Sequence, residues 1–357
     1  MRRLLQIILL KPVLWAASRF ASKPDQPRIF SALTSLKDAI LSGKDRKKGI
    51  LLNIDPSLDR FIIFSDHHRG AKNWADDFRE AEPNYLTALD HYNREGYTYI
   101  SLGDAEELWE NTLLQVKKHN TVSFEAEKQF IQRQAFFKVY GNHDLYWAND
   151  PFASWQLKRI YGQDVAVYEG VILRFNKPQG HFDLFLTHGH QGDRSSDGNW
   201  FSKFFVANIW APLQAYLRIN PNTPAYDIQI KTTHNRIMYE WSAAQQDLWL
   251  ITGHTHQPVF ASLTHLERLH RDLIFAERDK LEEKAKSIKE EIIRRQREYK
   301  SLSVDFMQMV PNYFNSGCCC FVDGDITGIE IAGGEIRLIK WEKGERKVLE
   351  VMGLDDR

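Results

Sequence analysis

Seven residues of metal-binding type stand out by what precedes them: Asp66, His68, Asp104, Asn142, His188, His254 and His256. Two carboxylates, one amide and four imidazoles make a set of oxygen and nitrogen donors without thiolates. Such a set suits Mn²⁺, Fe or Zn²⁺ better than an all-cysteine structural zinc site. Asp66 and His68 are two apart, as are His254 and His256, so each pair leaves an extended chain on one side, with His67 pointing elsewhere. Two cations held close together repel, and a shared carboxylate is one way to bridge them.

These donors follow short apolar runs at residues 61–64, 99–102, 137–140, 182–187 and 248–252. Each run reads as a buried strand delivering its last residues to the carboxyl edge of a sheet, where open α/β sheets hold ligands. Helical patterns fall between them, at residues 73–96, 106–116, 123–137 and 147–160, and residues 165–175 alternate like a strand. The rhythm is that of an α/β fold. Short strands and turns return in residues 303–351.

Two stretches interrupt the rhythm. Between residues 200 and 219, Phe201, Phe205, Ile209, Leu213 and Leu217 recur every fourth position, fitting either a helix that caps the sheet or an apolar lid near the site. Residues 263–300 carry Leu266, Leu269, Leu273, Leu281, Ala285, Ile288 and Ile292 in a charged background. As one helix this stretch would reach about 57 Å. With no Gly or Pro to turn a hairpin, it is expected to be a long helix suited to contact with a second subunit.

A chain of 357 residues, 43% hydrophobic, can bury a large core, and its zero net charge argues against a surface that coats polyanions. Charge is uneven, however: residues 1–48 hold eleven Lys or Arg against three Asp. The opening apolar run is broken by Lys11 and Pro12, so neither a cleaved signal nor a membrane span is expected. Basic residues interleaved with Trp15 and Phe20 fit peripheral contact with a membrane, or packing on the domain or on a partner subunit. Three adjacent cysteines, Cys318, Cys319 and Cys320, form no extracellular staple pattern; they imply a reducing, cytoplasmic setting and read as an apolar patch. The expected division is a basic amphipathic helical extension over residues 1–57, then a catalytic domain over 58–357 with helical insertions near 200–246 and 263–300.

In order, Asp66-x-His68, Gly103-Asp104, Gly141-Asn142-His143-Asp144, His188-Gly189-His190 and Gly253-His254-Thr255-His256 resemble the calcineurin-like metallophosphoesterase superfamily. The resemblance spans residues 61–260 and extends to the strands between 312 and 341. It implies a two-sheet β-sandwich flanked by helices and two divalent metal ions. Asp66, His68, Asp104 and His256 would hold one ion; Asp104, Asn142, His188 and His254 would hold the other, with Asp104 as bridge. His143 would stand by the leaving group, oriented by Asp144, while metal-activated water attacks phosphorus.

The segment Gly103-Asp104-Ala105-Glu106-Glu107-Leu108-Trp109 lacks the Asp-Arg-Gly continuation of the protein phosphatase branch. Arg69 and Arg194 are the substitutes by position for a phosphate-binding arginine, unless they serve structural ion pairs. That segment and the insertion after His188 are similar to the bacterial hydrolases that cleave UDP-diacylglucosamine, although Gly-Asn-His-Asp stands here for their usual Gly-Asn-Arg-Asp. The expected activity is hydrolysis of a phosphate ester or pyrophosphate, on a lipid-linked or nucleotide-linked substrate. The alternatives are a small-molecule phosphodiesterase or phosphomonoesterase, a nuclease, and a non-enzymatic scaffold built on the charged helix. No basic aromatic strip adjoins the motifs, which disfavours nucleic acid.

Overall fold

The computed structural model describes residues 24–73, 76–177, 180–192, 228–295 and 306–355. The segment before residue 24, Trp74, Arg194, the aromatic stripe at 200–219 and the end of the charged insertion lie outside these. Helix α1 (Gln26–Ser42) starts under an Asp25 cap with Pro27 in its first turn and stops where Gly43 turns left-handed. Strands β1 (Gly49–Asn53) and β2 (Phe61–Phe64) follow, then α2 (Glu82–Arg94), β3 (Thr98–Leu102), α3 (Leu113–His119), α4 (Thr121–Gln132) and β4 (Phe136–Val139). Two short helices, α5 (Tyr146–Asn149) and α6 (Ala153–Tyr161), flank Pro151, which splits the single helix expected there.

The strand expected over 165–175 is two strands. β5 (Val167–Tyr168) pairs with β4, while β6 (Gly170–Lys177) pairs with β1 and β7 (Gly180–Thr187), so the chain changes sheets at Glu169. After α7 (Ile228–Ala243) come β8 (Leu248–Thr252), β9 (Val259–Phe260), β10 (Leu263–Thr264), α8 (His265–Arg278) and α9 (Glu282–Arg295). Strands β11 (Tyr313–Asn315), β12 (Ile326–Ala332), β13 (Glu335–Glu342) and β14 (Glu345–Gly353) close the chain.

These strands form two mixed sheets, ordered β1-β6-β7-β8-β11-β9-β10 and β14-β13-β12-β2-β3-β4-β5. The period of two along β2 explains the layers. Phe61 and Ile63 point between the sheets, joining Ile100, Leu102, Leu173, Leu184, Leu186 and Ile251 in the central core. Ile62 and Phe64 point outward onto Tyr85, Leu89 and Tyr92 of α2. At roughly 1.5–3 kcal/mol per fully buried large apolar side chain, this double-sided burial holds β2 in one register.

The outer face of the other sheet is covered by α1 and α7, with Ile29, Leu33, Leu36 and Ile40 packed beside Ile237, Met238 and Trp241. Helix α1 and strand β1 are therefore part of the sandwich, although they precede residue 58. The charged insertion is also not the long helix expected. It turns between α8 and α9 through a helix-ending motif in which Leu281 N–H reaches Ala276 O at 2.8 Å and Lys280 N–H reaches Glu277 O at 3.2 Å. Lys280 itself takes the left-handed conformation, φ 56°, usually left to Gly, so no Gly or Pro marks the turn. An ion pair between Lys289 and Glu277 at 2.6 Å joins the two arms. Among the described residues, no helix is long and apolar enough to cross a membrane.

Candidate metal centre

Strands β2, β3 and β4 run parallel in one sheet, and β7 and β8 run parallel in the other. Their carboxyl ends meet at one edge of the sandwich. The β2 and β3 loops leave side by side, with Asp66 N–H on Gly103 O at 3.1 Å and His68 N–H on Asp104 O at 2.9 Å. The other sheet's loops are joined by Gly253 N–H on His188 O at 3.0 Å. Asp66, His68, Asp104, His254 and His256 all have positive φ, between 49° and 69°. Such backbone is costly for residues with a side chain and gathers at functional sites.

Two donor clusters result, Asp66, His68 and His256 in one and Asp104, His188 and His254 in the other, with His68, Asp104 and His143 forming a third group across them; in each the ligand atoms lie within 4.8 Å of one another. Asp104 faces both. Its Oδ2 lies 3.1 Å from His188 Nε2 and 3.8 Å from His68 Nε2, while Oδ1 accepts from His143 N–H at 2.7 Å. Asp66 Oδ1 lies 3.2 Å from His256 Nε2, and its Oδ2 accepts from His254 N–H at 2.9 Å.

The outer nitrogens set the tautomers. His188 Nδ1 donates to Leu102 O at 3.0 Å, and His68 Nδ1 lies 2.9 Å from Glu107 Oε2. Both rings then turn a lone pair on Nε2 toward the centre, as metal-binding imidazoles do. His68 Nε2 and His256 Nε2 come within 3.0 Å.

Three atoms test whether cations fit: Asp66 Oδ1, Asn142 Oδ1 and His188 Nε2 are buried with no hydrogen-bond partner. Acceptors aimed at one another without a donor need positive charge between them. Where no cation is present, a proton on the imidazole answers the same demand for positive charge. Burial pushes the His188 pKa down, yet Asp104 and Asp66 overcome it and raise the value to about 9. Burial likewise works against ionised Asp104 and Asp66, but the surrounding imidazoles hold both carboxyls well below the usual range. The donor set fits two divalent cations.

Glycine makes the approach of the loops physically admissible. A Cβ on Gly141 would stand 2.2 Å from Asp104 Oδ1 and 2.6 Å from its backbone nitrogen.

Not every expected residue serves as anticipated. Asp144 does not orient the His143 ring; its two oxygens accept from Ala105 N–H at 3.0 Å and Gly141 N–H at 2.6 Å, tying two ligand loops together. His143 is placed instead by Glu107, whose Oε2 lies 2.6 Å from Nδ1, and by Trp109, stacked on the ring at 4.1 Å between centroids. Burial raises the Glu107 carboxyl, but His143 and His68 outweigh it and bring it to about 2. Neither Glu107 nor Trp109 was singled out from sequence, although both lie within five residues of Asp104.

Arg69 points away from the centre. Its guanidinium is fully buried, 2.7 Å from both Glu106 and Glu127, which is the structural ion pair rather than the phosphate contact. His67 turns outward to Tyr99, 3.2 Å away. His190 belongs to neither cluster, and burial with the neighbouring His188 lowers it to about 3. A histidine that no motif announced, His234 of α7, packs its ring 5.1 Å from that of His254 and bonds Gly189 O at 2.8 Å.

No family model and no curated protein matches the chain. The architecture, two mixed sheets flanked by helices with candidate metal-binding clusters at one edge, matches the metallophosphoesterase-type sandwich that the motifs led us to expect.

Proposed function

We propose that the chain is a dinuclear metal-dependent hydrolase of a phosphate ester or pyrophosphate, acting on a lipid-linked or nucleotide-linked substrate. One observation carries the reading: Asp104 Oδ2 faces the imidazole of His188 at 3.1 Å and that of His68 at 3.8 Å, so one carboxylate serves two donor clusters. In this reading Asp66, His68, Asp104 and His256 would hold one cation, and Asp104, Asn142, His188 and His254 would hold the second; the pair would supply acidified water and neutralisation of the charge growing on a phosphoryl group.

The chain's own residues do the rest. His143 carries a proton toward the leaving oxygen, and the carboxylate of Glu107, 2.6 Å from Nδ1, holds the ring in place for the transfer. Trp109 closes one face of that ring against water. Asp144 keeps the β3 and β4 loops in register, which holds the bridge in place. Because Arg69 is committed to Glu106 and Glu127, phosphate recognition falls to other groups; Arg194 is the one we propose. The apolar residues that recur over 200–219 would favour an acylated substrate, at about 0.8 kcal/mol for each CH₂ buried.

The test is the protein loaded with Mn²⁺ or Zn²⁺ and assayed on a nucleotide-linked lipid, an aryl phosphodiester, an aryl monoester and single-stranded DNA. Preference for the first supports the full reading. Turnover confined to water-soluble monoesters, unaffected by replacing Phe205 and its neighbour in the same apolar stretch, Trp210, overturns the lipid assignment. Intact protein that binds neither metal overturns the hydrolase.

A further inference from the structure

Cys318, Cys319 and Cys320 are adjacent but not equivalent. Cys319 turns into the core beside Ile62 and Phe64, its Sγ 4.0 Å from Thr327 O. Cys318 and Cys320 turn the other way, and their sulfurs lie with His256 in a separate donor cluster, all ligand atoms within 4.8 Å of one another. The nitrogen concerned is Nδ1, 3.7 Å from Cys320 Sγ, on the side of the imidazole away from the Nε2 that faces Asp66.

The geometry points to a thiophilic metal site of Cys318, Cys320 and His256 Nδ1, taking a soft or borderline cation such as Zn²⁺, Cd²⁺ or Cu⁺. A tetrahedral ion with metal–sulfur bonds of about 2.3 Å spaces its ligands about 3.8 Å apart, so the observed cluster needs only a small contraction. All three cysteines are free and buried, with Cys318 1% and Cys320 8% exposed. Access is from the His256 side, where that side chain is 15% exposed. The cysteine loop is also held in place: Cys319 N–H bonds Ser65 O and Asp66 O, both at 3.2 Å, and Cys318 N–H bonds Thr327 Oγ1 at 3.3 Å. Lys231 of α7 is within electrostatic reach of both sulfurs and is the charge that a bound cation must displace or leave neutral.

The donor chemistry separates this site from the oxygen and nitrogen centre, since thiolates select soft ions and carboxylates hard ones. His256 joins them. With one nitrogen turned to each, an ion on the sulfurs weakens the basicity of a ligand of the hydrolytic centre, a consequence that rests on the function proposed above whereas the sulfur site does not.

Cd²⁺ is the probe, because it is redox-silent and its thiolate complexes absorb in the ultraviolet. With the oxygen and nitrogen centre filled beforehand by Mn²⁺, titrating the reduced chain is expected to produce a thiolate-to-metal charge-transfer band that saturates at one Cd²⁺ per chain. The band is expected to weaken in Cys318→Ser and in Cys320→Ser, to vanish in the double variant, and to persist in Cys319→Ala. His256→Gln is expected to lower the Cd²⁺ affinity. Asp104→Asn, which removes the bridge of the other centre, is expected to keep the band. A wild-type chain without the band overturns the site. So does a band that survives the double substitution, or one lost in folded Cys319→Ala or Asp104→Asn protein. A band present in a chain that hydrolyses nothing sinks the hydrolase alone and leaves the sulfur site standing.

Discussion

Replacing Glu107 by Gln tests the arrangement around His143 most directly. One carboxylate oxygen, Oε2, lies 2.9 Å from His68 Nδ1 and 2.6 Å from His143 Nδ1, so a single group serves a proposed metal ligand and a proposed proton donor. Gln keeps the size but not the charge: its carbonyl oxygen at the Oε2 position faces both rings as a neutral acceptor, and its NH₂, in the place of Oε1, meets the Trp109 backbone N–H as donor against donor. One hydrogen bond to a charged group is lost, worth about 1.5–3 kcal/mol. Expressed in the transition state, that is a fall in kcat on the order of 10- to 100-fold, the range also typical when the outer partner of a metal-binding histidine is removed. The assay is steady-state hydrolysis of an aryl phosphodiester with Mn²⁺, alongside metal affinity from a competing chelator and thermal unfolding to establish folding. A loss in kcat with KM nearly unchanged is expected if the His143 contact dominates; weakened Mn²⁺ affinity is expected if the His68 contact does. A folded Glu107→Gln protein within twofold of wild type in both quantities would refute the reasoning.

Three further outcomes are expected. Gly141→Ala puts a methyl group 2.2 Å from Asp104 Oδ1 and 2.7 Å from His188 Cδ2. It should cost about 1–3 kcal/mol of stability and weaken metal binding, measured by unfolding and by chelator competition. Arg69→Met leaves Glu106 and Glu127 buried with less positive charge to balance them, and should cost about 3–5 kcal/mol of stability. If the variant instead unfolds like wild type and raises only KM, Arg69 binds substrate after all. His143→Ala should lower turnover while metal content stays near wild type; severe metal loss from the folded variant would make it a ligand instead.

The two sheets and the ligand edge were legible because local chemistry and global position agree there. A run such as Phe61–Phe64 can be buried on both faces only as an inner strand, and Asp or His next to it has nowhere to go but the strand end. The charged insertion was misread for the opposite reason. Lys280 adopts a backbone that Gly usually signals, and two hydrogen bonds to α8 with the Lys289–Glu277 pair make it affordable. The continuous strand expected over 165–175 failed at Glu169, where pairing partners in two sheets, invisible to alternation, decide the break.

At the centre itself, residue types and order along the chain determined which side chains could be donors, since an imidazole or carboxylate has its ligand chemistry wherever it sits. Only the tertiary structure decided which nitrogen of each histidine faces inward, because that depends on Leu102 O and Glu107 approaching from other loops. Tertiary packing also sent Arg69 into the buried pair with Glu106 and Glu127, placed Glu107 rather than Asp144 against His143, and turned Cys318 and Cys320 toward His256 with Cys319 away. The physical reason is shared: a side chain's partners are supplied by segments distant in sequence, and desolvation forces each buried polar group to find one.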